Sequence, residues 1–193
     1  MATETRKQVI TPERFGQGLT WADYLAAIQT NKDRFQRFYD DFQPEPAEVD
    51  FFKRFILRKG PVRVAAIGED WCPDVVRGIP CIARLAQAAG MELRIFPRDR
   101  NLDLMDEYLW RHEFQSIPVF VFLGRDGNEL GHFIERPATA YKFVAEVRQE
   151  IASRNLSDEE TMKIVRERRE PVQLAWMHDT VREIREQIFY RVF

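Results

Sequence analysis

The chain has 193 residues, with 29 Lys plus Arg against 31 Asp plus Glu and a net charge of −2. That balance excludes a protein organised around a basic nucleic-acid surface, and a content of 45% hydrophobic and 12% aromatic residues excludes disorder of the whole. No apolar run approaches the roughly 20 residues of a membrane helix, and MATETRKQVITPERF lacks the apolar stretch of a secretory leader. The expectation is a cytoplasmic protein of one domain with an extension, with neither membrane nor nucleic acid as partner.

Residues 1–60 read as a helical region. Thr20 with Asp23 marks a helix start, and Trp21, Tyr24, Leu25 and Ile28 follow at helical spacing. A second helix carries Phe35, Phe38, Tyr39 and Phe42, and Pro44 and Pro46 interrupt it. A third runs over about 47–59, with Phe51, Phe52, Phe55 and Ile56 inward and Gly60 as its stop.

From Pro61 the period changes. Residues 62–67 form a β-branched, apolar run between Pro61 and Gly68 that fits a buried strand. Helix 73–89, strand 91–96 and helix 102–112 follow, then strand 119–123, nearly all apolar and so placed centrally. The turn Arg125-Asp126-Gly127-Asn128 leads to an alternating strand over 129–134, and helix 138–154 closes the unit. Strands separated by helices predict parallel pairing of the first three, with the hairpin adding an antiparallel edge. The class is α/β, with helices around a sheet of about four strands, and ligands are expected at the carboxyl ends of the strands.

Residues 155–193 are helical again. Ser157 with Glu160 fits a capping box. Leu174, Met177, Val181, Ile184 and Ile188 recur at 3, 4, 3, 4 spacing. Such a stripe is first the face that packs on its own domain, and secondly a seam for a homodimer through the C-terminal helix. The run Arg166-Glu167-Arg168-Arg169-Glu170 reads as a solvated helix face.

The two cysteines, Cys72 and Cys81, are too few for a disulfide scaffold. His112, His132 and His178 stand too far apart for a recognisable zinc site, so no metal is expected. Cys72 precedes Pro73, a favoured first helical residue, which places the thiol at a helix N-terminus. Unpaired backbone N–H groups and the helix dipole there favour the nucleophilic thiolate, while Glu69, Asp70 and Asp74 oppose it. Cys81 lies nine residues on, roughly 13.5 Å along the helix axis and on its far side. That is beyond the Cα separation of about 7 Å that a disulfide allows, so Cys81 reads as a small buried residue. Ile117-Pro118 opens the third strand, where a missing N–H is tolerated. Arg98, Asp99, Arg100 and Asn101 read as a polar loop and helix start, with a paired Arg98/Asp99 role at the site as the alternative.

Trp71, Cys72, Pro80, Ile117 and Pro118, in this order around the first helix and third strand, resemble the thioredoxin superfamily. More closely, EDWCPDVVRGIPCIARLA, RIFPRDRNLDLMDEYL and SIPVFVFLGRDGNELGHFIERP are similar to a bacterial thioredoxin-like group with a Trp-Cys-x-Asp-Cys motif and a C-terminal Arg-Pro, here Arg136-Pro137. The likeness covers about residues 20–150. It implies a thioredoxin fold with a βαβαββα core over 61–154, preceded by the helical region over 1–60, while the helical extension over 155–193 lies outside the likeness. It implies Cys72 as the attacking thiol and Pro118 as a cis-proline, with Trp71, Pro73, Ile117 and Pro118 lining the substrate groove. Two departures stand against it. Val75 replaces the second motif cysteine, the thiol that resolves a mixed disulfide, and Ala66 occupies the place of a buried carboxylate.

Three functions remain open. Cys72 can exchange with a protein or low-molecular-weight disulfide and be resolved by an external thiol. The groove beside Pro118 can bind a peptide without chemistry. Or Cys72 can act as a redox sensor. None needs a cofactor, and the acids after Gly68 rule out a Gly-rich phosphate loop.

Overall fold

Among the described residues, four helices precede the first strand: α1 (Pro12–Gly16), α2 (Trp21–Ala27), α3 (Lys32–Asp41) and α4 (Pro46–Lys59). They belong to a computed structural model that describes residues 9–192. Residues 1–8, the start of the MATETRKQVITPERF stretch read for a secretory leader, lie outside the described residues. The Thr20 hydroxyl accepts from the Asp23 N–H at 3.2 Å and caps α2, and Pro46 occupies the first turn of α4, which Gly60 ends.

The core continues as β1 (Arg63–Gly68), α5 (Pro73–Ala89), β2 (Glu92–Pro97), α6 (Leu102–Met105), β3 (Val119–Leu123), β4 (Glu129–Ile134) and α7 (Ala138–Ile151). The four strands make one mixed sheet in the order β2-β1-β3-β4. β1 pairs parallel with β2, and β3 pairs antiparallel with β4. Helix α5 lies on β1 and β2, and α3, α4 and a C-terminal helix pack around it.

The expected parallel pairing of the first three strands is corrected at β3, which runs antiparallel to β1, with Ile67 opposite Val119 and Arg63 opposite Leu123. The crossover that a parallel β3 requires does not form. Residues 98–118 contain a single 3₁₀ turn, Arg98–Arg100, and the four-residue helix α6, which is about 6 Å long. The helix expected over 102–112 is therefore much shorter. Arg111 and His112 adopt left-handed backbone angles, φ 53 and 61, and Trp110 pairs with Phe114 across a tight loop. The chain thus stays at the end of the sheet where β2 finishes, and β3 starts from there.

The C-terminal region forms α8 (Asp158–Arg169) and α9 (Gln173–Ile184), followed by a π-helical turn over Arg185–Phe189. Ser157 and Glu160 form the reciprocal capping box. Met177, Val181, Ile184 and Ile188 of the apolar stripe are buried within the chain, while Leu174, 40% exposed, is the member that faces out. Phe189 is fully buried, and its ring meets Phe52, Phe55 and Phe122 edge-on at 4.9, 4.8 and 5.2 Å. Residues from the N-terminal helices, the sheet and the C-terminal region share one apolar core.

Because Phe189 joins α4 to β3, Phe189→Ala is expected to destabilise the whole chain by about 3–5 kcal/mol. Urea unfolding checks this. A loss below about 1 kcal/mol would mean that the C-terminal region is an appendage that the core does not need.

Candidate functional site

The carboxyl ends of β1 and β2 and the amino end of β3 share one edge of the sheet, with Gly68 opposite Pro97 and Ile67 opposite Val119. From Gly68 the chain turns through Glu69, Asp70 and Trp71 into α5, and the Cys72 N–H donates to the Glu69 carbonyl at 3.2 Å. Cys72 is the N-cap residue of α5, in extended conformation, and Pro73 follows at the first helical position. On the neighbouring strand the Ile117–Pro118 peptide bond is cis. The Cys72 thiol donates to the Ile117 carbonyl oxygen at 3.6 Å. The antiparallel turn of β3 thus brings 72 and 117 together.

Two glycines set how closely the parts approach. A Cβ on Gly78 would stand 3.0 Å from Pro118 Cγ, so the absence of a side chain lets α5 lie directly on the proline. A Cβ on Gly68 would stand 2.8 Å from Val75 Cγ1. Val75, at the position of the missing second cysteine, is buried over that glycine.

A helix N-terminus does not leave Cys72 open to solvent here: the residue is 9% exposed. Ile117 and Pro118 are buried as well, Pro73 is half-buried, and Trp71, 50% exposed, is the part of the motif that reaches solvent. The Arg98 guanidinium stacks over the Trp71 ring at 5.1 Å, and the Asp99 N–H donates to Glu69 Oε1 at 2.8 Å. The Arg98/Asp99 loop therefore braces the rim of the site. Cys81 is fully buried, and its thiol donates to the Met177 carbonyl at 3.4 Å. Both cysteines are free.

Burial pushes the Cys72 thiol above its ordinary pKa. The backbone N–H groups of Val75 and Asp74 act in the opposite direction, as donors at a helix N-terminus do, and the Arg136 cation also favours the thiolate, while the Asp74 carboxylate adds to the rise. The sequence alone does not fix the balance of these effects; the enclosing packing decides it for the thiol.

Asp74 and Arg136 are the features the sequence did not join. Asp74, 7% exposed, lies between Arg77 at 2.7 Å and Arg136 at 2.9 Å. Arg77 is 2% exposed and also lies over the Trp176 ring at 5.1 Å, which ties the cluster to the C-terminal region. The Arg-Pro that follows β4 was visible as a motif, but its partner lies 62 positions away in the chain, from 136 to 74. Asp70 was likewise visible only as an acid near the thiol. Its carboxylate accepts from the Gln29 and Thr30 N–H groups at 2.8 and 2.9 Å, and its carbonyl accepts from the Asn31 side chain at 2.8 Å. These bonds fasten the α2–α3 connection to the loop that carries Cys72.

A family model described as thioredoxin matches residues 18–152. Among solved structures, a protein of unknown function from Pseudomonas aeruginosa is similar at 19% identity over 90% of this chain and 95% of its own, with a TM-score of 0.61. An HIV epitope scaffold is similar at 19% identity over 89% of this chain and 96% of its own, with a TM-score of 0.58. At such identities these two likenesses concern the fold. No curated protein sequence matches the chain.

If the ion pair governs the thiol as its position indicates, Arg136→Gln raises the Cys72 pKa and Asp74→Asn lowers it, each by about one pH unit. The pH dependence of alkylation at Cys72 measures both. Shifts in the same direction, or none, would show that the pair is structural only.

Proposed function

We propose that this chain, which belongs to the thioredoxin family, exchanges thiols and disulfides through Cys72 alone, with the second thiol supplied from outside. One observation carries the reading: the Cys72 sulfur sits at the N-terminus of α5 against the backbone of Ile117-Pro118, 3.6 Å from the Ile117 carbonyl oxygen. A thiolate at that place is met by the N–H groups of Asp74 and Val75.

In the first step, the Cys72 thiolate attacks a disulfide RS–SR′, forms Cys72–S–S–R and expels R′S⁻. In the second, an external thiolate attacks the sulfur of R, the S–S electron pair returns to Cys72, and the new disulfide leaves. The second cysteine of a dithiol cycle is unnecessary when the resolving thiol is glutathione or another small thiol. Trp71 and Pro73 would form the accessible rim against which the substrate docks, and Ile117 and Pro118 the floor that a local opening exposes. Such a role fits a reducing, cytoplasmic setting, where thiol donors are plentiful. Among the described residues no helix is long and apolar enough to cross a membrane.

A second reading, binding without chemistry, draws support from Val75 and from the burial that raises the thiol. A thiol held protonated attacks slowly, and an exposed Trp71 beside a proline-opened strand suits peptide recognition. A thioredoxin-fold module of this kind would keep its partner in the Cys72→Ser variant.

Turnover of a glutathione mixed disulfide, followed with glutathione as donor, separates the two. The exchange reading expects turnover that rises with pH up to a midpoint above the value of about 8.5 for free cysteine, and that Cys72→Ser reduces to background. Equal rates in the two proteins, or no turnover with any thiol donor, would contradict it.

A further inference from the structure

The charged run at the end of α8 is only in part a solvated face. Arg166 and Glu167 are exposed, but Arg169 is half-buried, and its Nε is enclosed without a hydrogen-bond partner. Among the described residues the Arg169 side chain makes no ion pair and no hydrogen bond. A helix C-terminus attracts cations, and Arg168, which donates to Glu150 Oε1 at 2.9 Å, meets that need at the surface. The dipole does not explain a donor buried without an acceptor, which costs stability. Gln173 Oε1, four residues on, is also buried and unpartnered. A bond between the two would satisfy both atoms and still leave the guanidinium without a counter-charge.

The neighbouring acids are already shared. Glu170 accepts from Arg37 at 2.6 Å and from Gln173 Nε2 at 2.5 Å, and lies 3.7 Å from Arg34. Asp74 is shared by Arg77 at 2.7 Å and Arg136 at 2.9 Å, and Arg136 also pairs with Glu135. Arg77 lies over the ring of Trp176, on the same helix as Gln173. Helices α3 and α5 and the junction of α8 with α9 thus bring Arg34, Arg37, Arg77 and Arg169 to two carboxylates, Asp74 and Glu170. Burial lowers the Arg169 pKa. Asp74 opposes this from beyond ion-pair distance, and the cations Arg77, Arg34 and Arg166 add to the fall. A half-buried cation among like charges costs stability unless an anion joins it.

We propose that Arg169, with Arg34 and Arg37 beside it, is a binding site for a doubly charged oxyanion, a free phosphate or the phosphoryl group of a small molecule. The charge follows from the excess of guanidiniums over carboxylates. The oxyanion follows from the guanidinium, whose planar fork binds two oxygens at once. The terminal nitrogens of Arg169 have no protein partner and are not enclosed, so the anion reaches them from solvent. The site lies outside the Cys72 groove and does not depend on thiol exchange.

The test is a titration of the full chain with inorganic phosphate at constant ionic strength, followed by calorimetry and by Tm, with sodium chloride and acetate as controls. We expect saturable binding and a rise in Tm with phosphate that neither control gives. Arg169→Met is expected to weaken phosphate binding about tenfold. Without phosphate its Tm is unchanged or raised, because an unpaired charge is gone. Glycerol phosphate in a parallel titration distinguishes the two sources. Tighter binding than inorganic phosphate points to a phosphoryl group on a larger ligand, weaker binding to the free ion. No saturable response in the unmodified chain, an equal response in the Arg169→Met variant, or a stronger response to acetate would overturn the proposal. Should that variant not fold, Arg34→Met gives the same comparison, and phosphate binding unchanged there overturns the site equally.

Discussion

The antiparallel register of β1 and β3 is the constraint from which the site follows. Pairing Ile67 with Val119 puts the exit of one strand and the start of the other at the same edge of the sheet. Four residues after Gly68 the chain reaches Cys72, and two residues before Val119 lies Ile117, so the thiol and the Ile117 carbonyl meet at 3.6 Å. A parallel β3 would start at the opposite edge, a sheet's length from Cys72. The two side-chain-free positions, Gly78 beneath Pro118 and Gly68 beneath Val75, then allow helix and sheet to close on that junction.

Closure has an electrostatic consequence. The N-terminus of a helix favours a thiolate, but the packing that holds this helix also removes the sulfur from water. Burial is the larger effect here, and the resting group is a thiol. The charges beside it are arranged as an opposed pair, Asp74 against Arg136. Because Asp74 is also bound to Arg77, which lies over Trp176, the C-terminal region is connected to the sulfur through a chain of buried contacts. On the other side, Asp70 fastens the N-terminal helices to the same loop. The regions outside the central sheet thus contribute groups to the environment of Cys72.

Local signals in the sequence were legible where one physical cause acted alone. The apolar run over 119–123 and the Pro73 start of α5 coincide with their elements. So does the Ser157–Glu160 box. The stripe from Met177 to Ile188 also behaves as a core-facing surface. The direction of β3 was not legible, because helical spacing over 102–112 resembles a crossover, whereas the helix ends at Met105 and the loop beyond it turns through the left-handed residues Arg111 and His112, which are neither Gly nor Asn. The covering of Cys72 was also hidden, since it depends on β3 and on the segment after β4 folding back. Tyr24 read as one apolar position among four in α2. Nothing in its spacing shows that its hydroxyl is buried without a hydrogen-bond partner.

The central claim is that one of the two thiols, Cys72, is chemically competent in the folded chain. Incubation of the native protein with glutathione disulfide, followed by peptide mass spectrometry, tests it directly. The account predicts one glutathione per chain, attached at Cys72, formed faster as the pH rises and removed by added thiol, with Cys81 unmodified. Attachment at Cys81, or none at all until denaturant is added, would contradict it.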